Sequence, residues 1–119
     1  MFDLLVVGEI NPDLILRGAD VAPAFGQAEK LVEEATLTIG SSSVIMACGV
    51  ARLGLSVAFC GLIGDDLFGR FMLDAMAARG IDISGCVVDP AVATGLSVIL
   101  AQTGGDRAIL THAGSMAAL

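Results

Sequence analysis

The stretch that most constrains this chain runs from Thr38 to Arg70: TIGSSSVIMACGVARLGLSVAFCGLIGDDLFGR. It alternates short apolar runs with Gly-rich turns. ATLTIG (35–40) alternates as a strand does. Residues 42–53 have helical spacing, and Gly54 sits at the C′ position that ends helices. LSVAFCGLI (55–63) is apolar enough for a buried strand. A second helix follows over 67–79, capped by Asp65 or Asp66 and stopped by Gly80. On it Phe68, Phe71, Met72, Ala75 and Met76 share one face, and Arg70, Asp74 and Arg79 lie on the other. Strand, helix, strand, helix implies right-handed crossovers and a parallel sheet with helices packed on it.

Around this centre the pattern is mostly strand. DLLVVG (3–8) reads as a buried strand and LILRG (14–18) as another, with Pro12 forcing a bend or bulge between them. Residues 19–34 carry Pro23, Gly26 and several charges and read as a loop. GCVVD (85–89), GLSVILA (95–101) and RAILTHA (107–113) are strands, the last two joined by the turn Thr103-Gly104-Gly105-Asp106. The segments 13–39 and 87–113 suit a small separate sheet. The final GSMAAL reads as a helix beginning.

Composition narrows the function. The 119 residues carry 6 Lys+Arg against 13 Asp+Glu, a formal net charge of −7, and the only aromatics are 5 Phe. With no basic cluster and few stacking surfaces, nucleic acid is disfavoured and not expected as a partner. Apolar residues make up 55% of the chain and mean hydropathy is +0.85. No apolar run approaches the ~20 residues of a membrane span, so the surplus is expected to be covered by more chain or a second subunit. Phe2-Asp3 after Met1 lacks the basic start of a secretory signal. Cys48, Cys60 and Cys86 have no C-x-x-C spacing and read as free thiols of a cytoplasmic protein. His112 is the sole histidine, so a multi-histidine metal site is ruled out.

Two turns have chemistry to offer. Asn11 and Asp13 follow the first strand at its carboxyl end, where open α/β sheets bind ligands. A carboxylate accepts from two neighbouring hydroxyls and an amide both donates and accepts, which suits a polyol. The same Asn-Pro-Asp is also an ordinary turn sequence. Gly40-Ser41-Ser42-Ser43 precedes a helix whose first N–H groups are unpaired. Glycine there lets a ligand approach the backbone, and serine caps helices. Gly61, Gly64 and Asp65-Asp66 lack the lysine of a phosphate-binding P-loop and read as tight turns and a cap.

These residues resemble the PfkB or ribokinase-like carbohydrate kinases. The resemblance rests on VVGEINPDLIL (6–16), on GSSSVIMACGVARLGLSVAFCGLIGDDLFGRFMLDAMAARGID (40–82), on TGLSVIL (94–100) and on DRAILTHAG (106–114). It covers nearly the whole chain but only the N-terminal part of that fold. It implies an α/β class: a ribokinase-like parallel sheet flanked by helices (40–88) with a small β lid (14–39 and 94–113). It implies phosphoryl transfer from ATP, with Mg²⁺, to a hydroxyl of a sugar or nucleoside, and a homodimer paired through the lid. The catalytic aspartate and nucleotide pocket belong to the C-terminal part, so no catalytic or metal-binding residue is expected here, and this chain alone is expected to be inactive. The substrate-binding residues it implies are Asn11, Asp13, Gly40, Ser41, Ser42, Ile45, Ser97, Thr111 and Gly114. The family pattern has a second glycine where Ser41 stands and an asparagine where Ile45 stands. Either the substrate is less polar there or a serine hydroxyl takes over. A non-catalytic sugar-binding module of the same fold is the alternative. A dinucleotide-binding domain is disfavoured, because GEINPD follows the first strand in place of G-x-G-x-x-G.

Overall fold

The computed structural model describes residues 1–118. Its elements run β1 (Leu4–Val7), β2 (Pro12–Gly18), β3 (Glu34–Ile39), α1 (Ser42–Arg52), β4 (Val57–Cys60), β5 (Leu62–Gly64), α2 (Leu67–Ala78), β6 (Val87–Asp89), β7 (Leu96–Gln102) and β8 (Arg107–His112), closing on a 3₁₀ turn, Gly114–Ala118. The strand–helix–strand–helix reading holds, and both short core sheets are parallel: β1 pairs with β4 and β5 with β6.

Three expectations are corrected. The run 55–63 is not one strand. It breaks at Gly61 into β4 and β5, which belong to different sheets. Pro12 does not bend the chain between strands but opens β2, the position a strand tolerates for a residue without an N–H. Residues 87–89 leave the small sheet for the core, where β6 lies beside β5.

One apolar cluster holds the core together. Val6, Val57 and Phe59 on alternate positions of β1 and β4 meet Val44 and Ala47 of α1 and Met72 and Met76 of α2, all buried. Burial of each large side chain contributes about 1.5–3 kcal/mol. Phe68, Phe71 and Ala75 of α2 are only half-buried. On the opposite face of β1 the alternate residues Leu5 and Val7 are 62% and 67% exposed, as are Val87 and Val88 of β6 in large part. The surface of 7033 Å² exceeds the roughly 6,000 Å² expected of a compact chain of this mass.

β2, β3, β7 and β8 form a separate four-stranded sheet in the order β3-β2-β7-β8. β2–β3 and β7–β8 are antiparallel hairpins, and β2 and β7 join them in parallel. The sheet projects from the core, giving extents of 53 × 34 × 19 Å. Part of the 19–33 loop folds against it, with Val21 and Pro23 beside Leu16, Leu100 and Leu110.

Candidate substrate site

The site lies where β1 hands the chain to β2. Asn11 is 5% exposed, and its carbonyl accepts the Gly40 N–H at 2.9 Å. That bond draws the Gly-Ser turn before α1 against the start of β2. Asp13 follows on β2, half-buried, with its carboxylate against Gly40. A Cβ on residue 40 would stand 2.5 Å from Asp13 Oδ1 and 2.8 Å from the Asn11 carbonyl oxygen. Only glycine fits. Burial raises the Asp13 pKa above its ordinary 3.8, against the opposing pull of the Arg107 guanidinium.

The register extends this carboxylate into a row. Asp13 is opposite Thr38 on β3 and Ser97 on β7, and Ser97 is opposite Thr111 on β8. Partners in register share a face. Thr38, Asp13, Ser97 and Thr111 therefore cross the sheet as one polar line, at about 4.8 Å per strand. Ser97 Oγ and Thr111 Oγ1 share a hydrogen bond of 2.9 Å. The next row on the same face is Thr36, Ile15, Ile99 and Ile109. Chemically, the first row is one partly desolvated carboxylate flanked by hydroxyls that donate or accept. Thr38 was absent from the expected set. The alternation of ATLTIG was its only sequence signal, and that becomes meaningful once the register is known.

The Ser-rich turn departs from expectation. Ser41 is the N-cap of α1, yet no side-chain cap bond forms. Its hydroxyl donates instead to the Glu9 carbonyl at 2.7 Å. Its backbone is at φ 72, ψ 126, a conformation that favours glycine. This explains physically why the pattern it resembles carries glycine at that position. Ser42 is exposed at the head of α1. Ile45 is 53% exposed and lies along an open groove with Ile39, Cys48, Gly49, Arg52 and Arg79, so its surroundings are mostly apolar. Gly114 packs against the Ala93 carbonyl at the root of β8, beside the bond from Ser115 N–H to that carbonyl at 2.7 Å.

The turn at 61–66 supplies the expected helix cap. Asp66 is the cap of α2, accepting the Gly69 N–H at 2.9 Å. Asp65 pairs with Arg70 on the surface at 3.2 Å. His112 faces an apolar cleft with Leu67, Phe68, Leu96 and Thr94. All three cysteines are free thiols. Among the described residues no helix is long and apolar enough to cross a membrane, and no group of three or more His, Cys, Asp and Glu could hold a metal ion.

An α/β core with a projecting four-stranded sheet, whose polar row begins at the carboxyl end of β1, defines a ribokinase-like protein. The chain belongs to the pfkB family of carbohydrate kinases: that family's model matches residues 1–119. Fructokinase-1 of Oryza sativa subsp. japonica is 32% identical over 109 residues, covering 88% of this chain and 31% of the relative. The crystal structure of a PfkB protein from Polaromonas sp. JS666 superposes with a TM-score of 0.79 at 31% identity, over 94% of this chain and 35% of that one. A ribokinase from Cryptococcus neoformans var. grubii serotype A, solved in complex with ADP, gives 0.78 at 25% identity, over 97% and 36%. The chain thus spans about a third of the length of these relatives.

Proposed function

We propose that the protein carrying this chain transfers a phosphoryl group from ATP to a hydroxyl of a sugar or nucleoside, and that this chain supplies its substrate-reading surface and lid. The observation that carries the reading is the Thr38–Asp13–Ser97–Thr111 row set against Gly40. Asp13 accepts hydrogen bonds from two adjacent substrate hydroxyls, and Asn11 orients a third. Ser97 and Thr111, on the projecting sheet, cover the substrate and keep water out. Ile45 lies in a neighbouring groove with Ile39, Arg52 and Arg79 rather than beside the polar row, and is assigned no substrate contact.

ATP with Mg²⁺ would supply the phosphoryl group and neutralise its charge. The ADP-bound ribokinase relative supports the nucleotide. By the resemblance to the family, the nucleotide, Mg²⁺ and catalytic residues belong to the remainder of the protein, and no residue of this chain is given a catalytic role. The 119 residues, which span about a third of the length of the relatives, are proposed to be inactive alone. The exposed Ile109, on the same face as Ile15 and Ile99, suits pairing of two lids in a homodimer. The free thiols fit a reducing, cytoplasmic location.

The test is ATP consumption by the whole protein against a panel of hexoses, pentoses and nucleosides, paired with calorimetric binding. Turnover of one class, lost in Asp13→Ala, supports the kinase. Saturable sugar binding without turnover would replace it with a sugar-sensing module. The departures at Ser41 and Ile45 favour that second reading.

A further inference from the structure

Thr94 is 3% exposed and lies just before β7. Its hydroxyl donates to Asp66 Oδ1 at 2.6 Å, and its N–H donates to Asp66 Oδ2 at 2.9 Å. The same hydroxyl oxygen accepts the Gly64 N–H at 2.9 Å. Asp66 is at once the cap of α2. One carboxylate therefore closes the start of a core helix and grips the root of the projecting sheet. The fit is tight: a Cβ on Gly69 would stand 2.9 Å from Thr94 Oγ1, and one on Gly64 2.9 Å from Thr94 N. The other leg of the hairpin is tied at the same root, since Ser115 Oγ accepts the Gly95 N–H at 3.2 Å.

We infer that Asp66 and Thr94 form a positioning pair that anchors the β7–β8 hairpin to the core and so fixes the Ser97–Thr111 hydroxyls beside Asp13. Ser97 lies three residues beyond Thr94 on an extended strand, so a shift at the root is carried directly to it. Without this anchor the hairpin is held through its pairing with β2 and through the 3₁₀ turn that follows β8 and packs on β5. Neither Asp66 nor Thr94 belongs to the polar row, so the pair acts through the lid. The inference rests on the kinase reading for its effect on substrate, but not for its effect on the lid.

Thr94→Val keeps the shape and N–H but removes the hydroxyl; Thr94→Ser keeps the hydroxyl. In the whole protein, Thr94→Val, which loses both the bond to Asp66 and the one from Gly64, is expected to speed hydrogen exchange of β7 and β8 amides by about tenfold or more. The amides of β1 and β4 keep the parent's protection. The KM for the sugar rises about tenfold with kcat within about twofold and the KM for ATP unchanged. Thr94→Ser restores both. Asp66→Asn, which retains the cap's shape, gives the same local exchange pattern if Thr94→Val does not fold. Unchanged exchange, equal acceleration in core and hairpin, or no restoration by serine would overturn the pair. If the parent phosphorylates no sugar, the kinase reading fails, and the exchange pattern still decides the anchor.

Discussion

Ser41 sets two opposed effects against each other, and two substitutions separate them. A non-glycine residue at φ 72, ψ 126 carries strain of about 1–3 kcal/mol. Its hydroxyl bond to the Glu9 carbonyl, 2.7 Å, returns about 1 kcal/mol. Ser41→Ala removes the bond and keeps the strain, so it is expected to be about 1 kcal/mol less stable than the parent. Ser41→Gly also loses the bond, and its freer unfolded chain costs a further ~0.5–1 kcal/mol. It relieves the strain, however, and ends close to the parent. Glycine should therefore exceed alanine by about 1 kcal/mol, the reverse of their order in a helix interior. Urea unfolding of the whole protein, compared by midpoint at constant m, reads the difference. Alanine equal to or more stable than glycine would refute the strain argument.

Three further outcomes follow from the site. Asp13→Asn should stabilise the fold at neutral pH. A raised folded pKa means that Asp13's favourable contribution is fully present below the ordinary 3.8 and is lost as pH rises through the folded value. Thermal melts from about pH 3 to about pH 7 should show the advantage of asparagine vanishing at the acid end. The same variant should weaken sugar binding about 10- to 100-fold by loss of a charge-assisted bond, read by calorimetry. Gly40→Ala should drive its methyl into the Asp13 carboxylate, weakening sugar binding more than ATP binding; equal effects on both would contradict the site. Cys86, whose thiol burial pushes up to about 11 and which donates to the Phe59 carbonyl at 3.3 Å, should resist iodoacetamide at pH near 8 until the protein is denatured, as peptide mass mapping would show.

Much of the architecture was legible because it is local. The apolar face of α2, the Asp66 cap, the C′ glycine after α1 and the β7–β8 hairpin each follow from residues a few positions apart. What failed depends on distant partners. The run 55–63 looks continuous, yet it breaks at Gly61, where a Cβ would stand 2.7 Å from the Gly8 carbonyl oxygen just past the end of β1. Ser41 carries every local signal of a cap, but Glu9, brought in by β1, offers its hydroxyl another acceptor. Asn11 and Asp13 stood out as polar residues at a strand end. Thr38 did not, because its place beside Asp13 is set by the β2–β3 register, and the row it completes by the pairing of β2 with β7.

That register also orders events in time. Asp13 and Ser97 are partners, yet about 84 residues of chain separate them. Loop closure over such a distance is slow relative to a hairpin. The β2–β3 hairpin must therefore wait, one long edge unpaired, until β7 has been synthesised and has found it. During that interval the edge is open to wrong partners. The polar row of Asp13 and Ser97, lying across this seam, therefore forms only after both strands have met.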